Sequence, residues 1–114
     1  MADRIRLADL YAFLDPIRRE AGLEGRDGHA ASIETSTMLA IDGALVRTDR
    51  IPEVSVRPRL SQFHVLAKPE TEFPTGVRGD TSRVSRELGE RAFRHVVSEI
   101  AQLLERTERE GREW

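Results

Sequence analysis

The first recurrent apolar positions, Leu7, Leu10, Phe13, Leu14 and Ile17, fall at helical spacing, and the pattern breaks at Gly22 behind Arg18-Arg19-Glu20. This predicts a short amphipathic helix. Pro16 inside it predicts a kink or two shorter pieces, because proline removes a backbone donor and crowds the preceding turn. Gly22 to Gly28 holds three glycines among alternating charges and reads as a loop. From about Ala31 to Ile41, the residues Thr35, Met38, Leu39 and Ile41 predict a second helix with a modest apolar side, stopping at Asp42-Gly43. Ala44 to Val46, Val54 to Val56 and Phe63 to Ala67 look extended, and Pro52, Pro58, Pro69 and Pro74 punctuate the region, which predicts short edge strands among loops.

The strongest pattern runs from Thr81 to about Glu110, where Leu88, Ala92, Val96, Ile100 and Leu103 form one stripe, widened by Phe93, Val97 and Leu104. Its opposite face carries Glu87 with Arg91, Glu90 with Arg94 and Glu105 with Arg109 at i,i+4. Asp80 or Thr81 is expected to cap this long helix, and the tail from Thr107 to Trp114 to fray.

Composition narrows the class. The chain has 114 residues, 39% hydrophobic and 33% charged, which fits one globular domain with a core of its own. No apolar run approaches the roughly 20 residues of a membrane helix. Residues Met1 to Leu10 mix Arg4 and Arg6 with Asp3 and Asp9 and lack the apolar core of a signal peptide, so a cytoplasmic protein is expected. The net charge of -2 is spread along the chain without a basic patch, which argues against nucleic acid as the partner. With no cysteine there is no disulfide, thiolate metal site or cysteine nucleophile.

Candidate chemistry concentrates in Gly28-His29-Ala30-Ala31-Ser32-Ile33-Glu34, where a histidine and a carboxylate stand five residues apart at a predicted helix start. Ser32 is expected to cap the helix, and Glu34 to lie in its first turn, where the dipole favours negative charge. A neutral imidazole at His29 could act as base, acid or metal ligand. The plainer reading is a His and a Glu that cap and solubilise a helix. Five residues along one helix would hold the two apart around the axis, so their cooperation requires His29 to lie outside it. His95, on the shoulder of the long stripe, reads as a packing or surface residue, and His64, between Phe63 and Val65, as a half-buried strand residue.

The string His29-Ala30-Ala31-Ser32-Ile33-Glu34-Thr35-Ser36-Thr37-Met38-Leu39-Ala40 resembles the H-A-G-x-x-E-T-S-x-M-L-A signature of the creatininase (creatinine amidohydrolase) family, and Leu45-Val46-Arg47 is similar to the leucine-valine found shortly after that signature in the family. Gly76-Val77-Arg78-Gly79-Asp80 with Ser85, Glu87 and Gly89 resembles the family's G-V-x-G-D-P-x-x-A-S-x-E-x-G segment before its last helix. The resemblance spans roughly Gly28 to Leu104. It implies an α/β fold, part of a three-layer α/β/α arrangement, with short strands and the long C-terminal amphipathic helix. Residues 1–114 would form a single domain like the C-terminal half of a family member: a divergent lead-in over 1–27, a family-like part over 28–106 and a tail over 107–114.

The resemblance also implies a function, that of a metal-dependent hydrolase of amide C–N bonds acting on a small amide or a peptide, usually as an oligomer. His29 matches the family's proton-handling histidine. Glu34 matches the glutamate of the same motif, which either orients the histidine or reaches the metal. The departures are equally definite. The Glu-x-His-Gly and Asn-Gly-His segments that carry most of the family's metal ligands have no counterpart, and the chain contains no Asn at all. Ala31 stands where the family usually has Gly, a change expected to alter the loop's dihedral freedom or its room for substrate, and Thr81 replaces a proline. The only Trp, Trp114, is terminal. A catalytic zinc takes about three protein ligands and a two-metal site more, whereas His29 and Glu34 supply two. The expectation is therefore a subunit inactive by itself, forming a homo-oligomer or a hetero-oligomer with a chain that holds the remaining ligands to a divalent metal of the zinc or manganese type. The alternatives are a noncatalytic assembly or regulatory module of the same fold, or an accidental match on a small α/β domain.

Overall fold

The computed structural model describes residues 10–54 and 67–110. Helices α1 (Leu10–Phe13) and α2 (Asp15–Glu20) are the two pieces expected around Pro16, which sits at the start of α2, where a missing N–H costs nothing. Leu14 is the turn between them, and its carbonyl accepts the Arg18 amide at 2.9 Å. Helix α3 (Ser32–Asp42) runs directly into a 3₁₀ turn, Gly43–Leu45, and a second 3₁₀ turn spans Thr48–Arg50. After α4 (Pro69–Glu72), the chain reaches the long helix α5 (Arg86–Glu110).

The core is small and sits where α3 crosses α5. Ile17, Leu23, Ile33, Leu88 and Ala92 are buried together, with Leu14 and Ala21 packed against them. The two helices meet backbone to backbone: a Cβ at Gly89 would stand 1.8 Å from the Ser36 carbonyl oxygen. Only glycine fits there. The contact buries the Ser36 side chain, whose hydroxyl accepts the Ser85 amide at 3.0 Å.

Several expectations are corrected. Ala44 to Val46 is not a strand, because Gly43–Leu45 is drawn into a 3₁₀ turn in which the Asp42 carboxylate accepts the Ala44 amide at 3.0 Å. Helix α3 does stop at Asp42 with Gly43 as its C-cap, as expected, and Gly43 carries the helical φ of −63°. Val54 belongs to no strand and pairs with one residue: its carbonyl accepts the Thr81 amide at 2.7 Å and its amide donates to the Thr81 hydroxyl at 3.0 Å. Residues 55, 56 and 63–66 of the other expected strands lie outside the described residues. Among the described residues the one β-type pairing is the antiparallel bridge between His29 and Arg78, and the architecture is mostly helical. Single extended stretches without neighbours do not make a sheet.

Helix α5 starts at Arg86 and not at Thr81, because the polar groups expected to start it are committed elsewhere. Thr81 donates its hydroxyl to the Pro52 carbonyl at 2.7 Å, while Asp80 is buried against Arg26. Ser85 takes the cap, its hydroxyl accepting the Leu88 amide at 3.1 Å. Of the expected i,i+4 pairs, Glu105 and Arg109 approach to 3.7 Å, whereas Arg91 reaches across to Glu20 of α2 at 2.6 Å.

Candidate functional site

The loop leading into α3 is closed onto the segment before α5 by main-chain hydrogen bonds. The Asp80 amide donates to the Arg26 carbonyl at 2.8 Å, the Arg78 amide to the His29 carbonyl at 2.9 Å, and the Ser32 amide to the Asp80 carbonyl at 2.9 Å. Gly79 permits this closeness: its φ is +146°, and a Cβ there would meet Ala31 Cβ and the Gly28 amide nitrogen at 2.7 Å. The Ser32 hydroxyl donates to the Asp80 carbonyl at 2.7 Å and accepts the Arg83 amide at 3.2 Å. Ser32 is thus not the expected cap. Ala31 takes the N-cap position without a side-chain bond, and the Asp27 carboxylate, from outside the helix, accepts the Ile33 amide at 3.3 Å.

This closure presents His29 outside the helix and Glu34 in its first turn, the condition for the two to meet. His29 Nδ1 lies 3.8 Å from Glu34 Oε2, too far for a hydrogen bond and close enough for a charge on the imidazole to be felt. The histidine side chain is 75% exposed and the glutamate 45%. Both Glu34 oxygens are held: Oε2 accepts the Ala30 amide at 2.6 Å and Oε1 the Tyr11 hydroxyl at 3.1 Å. Ala30 has a φ of +52°, a region costly for a residue with a Cβ. Its carbonyl accepts the Thr35 hydroxyl at 3.0 Å, so α3's first turn grips it from both sides. Left-handed backbone therefore falls on Ala30. Ala31 is extended, with φ −88° and ψ −155°, and its buried methyl faces Gly79, so the residue replacing the family's glycine needs no glycine conformation.

Two buried carboxylates support the site. Asp27 pairs with Arg18 at 3.2 Å, and Arg18 also donates to the Tyr11 carbonyl at 2.6 Å and to Asp15 at 2.9 Å. The Arg18 guanidinium lies 4.9 Å from the centre of the Tyr11 ring. Asp80, 1% exposed, forms an ion pair with Arg26, and its other oxygen accepts the Ser82 amide at 2.7 Å. Burial pushes the Asp80 carboxyl up, but hydrogen bonds from Ser82 and the charges of Arg26 and Arg83 outweigh it, leaving the group below the usual carboxylate range. Burial and the Glu34 carboxylate together raise the Tyr11 hydroxyl above its ordinary value, so it remains a donor at neutral pH. Tyr11, Arg18 and Asp27 have no motif that marks them. The Ser85 cap did have one, a serine three residues before the first stripe position.

His95 is half-buried on α5, and His64 lies outside the described residues. Among the described residues no three His, Cys, Asp or Glu side chains converge as a metal site, and Glu34 already accepts two hydrogen bonds. His29 and Glu34 alone do not hold a divalent metal. What they can do is move a proton: an exposed imidazole can accept or deliver one, with the fixed Glu34 carboxylate 3.8 Å away. Beside Glu34 an apolar groove of about 360 Å³ runs between α3 and α5, lined by Leu14, Ile33, Thr37, Met38, Ala92, Phe93 and Val96. No helix among the described residues is long and apolar enough to cross a membrane.

No curated protein and no solved structure gave a significant match. The family model of the creatininases, described as creatinine amidohydrolase, matches residues 4–104, most of the chain, and the protein therefore belongs to the creatininase family.

Proposed function

We propose that this chain is a subunit of a cytoplasmic creatininase-type amidohydrolase that cleaves an amide C–N bond of a small amide or peptide, with the divalent metal held mainly by ligands from a partner chain. The observation that carries the reading is the placement of His29 beside a doubly anchored Glu34, at the start of the first family motif and where main-chain hydrogen bonds close it onto the second. In it His29 shuttles the proton to the leaving nitrogen while the anchored Glu34 carboxylate stands 3.8 Å from the imidazole. The bound metal would supply electrostatic activation of the amide and of water. Association is supported by apolar side chains along α3 and α5, among them Met38, Phe93, Val97 and Leu104, which stand 41–63% exposed, and of which Met38 and Phe93 line the groove beside Glu34.

The test is reconstitution with a polypeptide that carries the Glu-x-His-Gly and Asn-Gly-His segments. The expected result is amidase activity with bound metal, lost in His29→Ala. A monodisperse monomer with a cooperative melt, forming no complex, would count heavily against the reading. A noncatalytic assembly module is the second reading, favoured by the role Glu34 already has in gripping Ala30. A purified complex free of divalent metal would support it.

A further inference from the structure

The Glu34 side chain has several rotatable bonds and lies at the exposed start of α3, where by itself it would sample many rotamers. Two donors fix it, and the one that comes from a distant part of the chain is the Tyr11 hydroxyl, 23 residues away. Tyr11 is itself located from below. Arg18 donates to its carbonyl at 2.6 Å and stacks on its ring, Arg18 is paired with buried Asp27, and Asp27 accepts the Ile33 amide of α3. The contacts close a circuit from α1 through α2 and the loop to α3, and the phenol stands at the point where it meets Glu34. A chance surface contact would not come with a buried carboxylate and a nearly buried guanidinium holding its donor in place.

We propose that Tyr11 is a positioning residue for the His29–Glu34 pair, setting which way the Glu34 carboxylate faces and so where it stands relative to the imidazole. This rests on the reading of His29 and Glu34 as the chemical pair. The reporter is the Ala30 amide, which donates to the other Glu34 oxygen. In Tyr11→Phe the ring and its stack on Arg18 remain, and only the hydroxyl is lost.

The experiment follows amide hydrogen exchange and amide proton shifts by NMR in the full chain, in the parent, Tyr11→Phe and Glu34→Ala. In Tyr11→Phe, Ala30 exchange should rise about three- to ten-fold with an upfield shift of its proton, as expected when one of two anchors of its acceptor is lost. The Ser32 and Arg78 amides, which bond to main-chain carbonyls, should stay within about two-fold, and Glu34→Ala should affect Ala30 at least as strongly. An Ala30 amide unchanged in Tyr11→Phe overturns the proposal, whether or not Glu34→Ala moves it. A rise shared by all protected amides overturns it too, because it would mark a merely structural role. An intact Ala30 response in a complex without amidase activity removes the proposed function alone, whereas an active complex with a silent Ala30 removes the role of Tyr11 alone.

Discussion

Replacing Gly89 with alanine puts a methyl carbon where the structure leaves no room. The new Cβ would lie 1.8 Å from the Ser36 carbonyl oxygen, 2.2 Å from its carbon and 2.8 Å from the Thr37 nitrogen. Ordinary contact begins near 3.4 Å, so α3 and α5 must part by about 1.6 Å. Both obstructing groups are backbone, and no rotamer change relieves them. Ile33, Leu88 and Ala92 pack across the same crossing, and a gap of this size forfeits a quarter to a half or more of their dispersion contacts. Overpacking and lost contact together cost ~3–4 kcal/mol, and the better helix propensity of alanine returns ~1 kcal/mol. A net loss of ~2–3 kcal/mol lowers the melting temperature by roughly 8–15 °C for a chain of this size.

The control is Gly43→Ala, whose Cβ would meet only the end of the flexible Arg86 side chain, Nη2 at 2.6 Å and Cζ at 3.8 Å. It should change stability by no more than ~0.5 kcal/mol. Thermal melts by circular dichroism compare the two variants. If Gly89→Ala melts at or above the parent temperature, the helices do not cross in backbone contact there, and the account of the core is wrong.

Two further outcomes concern the buried carboxylates. Asp80 has a depressed carboxyl pKa, so it contributes stability that is present above its unfolded value near ~4 and is lost as pH falls through the lower folded value; Asp80→Asn should be less stable at neutral pH and show a flatter acid-denaturation profile below pH ~4, and an unchanged acid slope would contradict this. Asp27→Ala removes the buried carboxylate partner of Arg18, which keeps Asp15 and the Tyr11 carbonyl, and leaves the Ile33 amide without its acceptor, for ~2 kcal/mol by urea titration, and a loss below ~0.5 kcal/mol would show that neither contact persists in solution.

What could be read from the residues alone was whatever depends on near neighbours. Pro16 divides the first helix because the ring acts on its own turn, and the glycines before His29 end one helix before the next can include it. Competition between partners could not be read. Thr81 and Asp80 are good capping residues, but Val54, Pro52 and Arg26 claim them first, and the cap passes to Ser85. Arg91 is well placed for Glu87 on a bare helix and instead joins Glu20, because α2 lies alongside. Tyr11 and Glu34 are joined only once α1 and α3 are brought together. Ala44 to Val46 is not the expected strand because a strand is specified by its neighbours, and here the adjacent Asp42 carboxylate takes the Ala44 amide and closes a 3₁₀ turn instead.

The two family motifs resemble a clamp more than a set of reactive groups. Ser32 binds the Asp80 carbonyl and the Arg83 amide, Ser36 the Ser85 amide, and Gly89 lets Ser36 approach, so residues of each motif are satisfied by residues of the other. Ser32 and Ser36 are wholly buried, whereas His29 is 75% exposed and bonds to this frame through its main chain. Scaffold and chemistry should therefore separate experimentally. Ser32→Ala strands the Arg83 amide and removes one of two donors to a buried carbonyl, for ~2 kcal/mol and a fall of roughly 6–10 °C. His29→Ala removes a side chain that stabilises nothing beyond its 3.8 Å approach to Glu34 and should melt within ~2 °C of the parent. If His29→Ala proved as damaging as Ser32→Ala, the histidine would be part of the clamp, and its presence in the motif would no longer argue for proton transfer. With the order as expected, nothing in the folding of this chain requires an imidazole at position 29, and the reason for one lies in what it meets from outside.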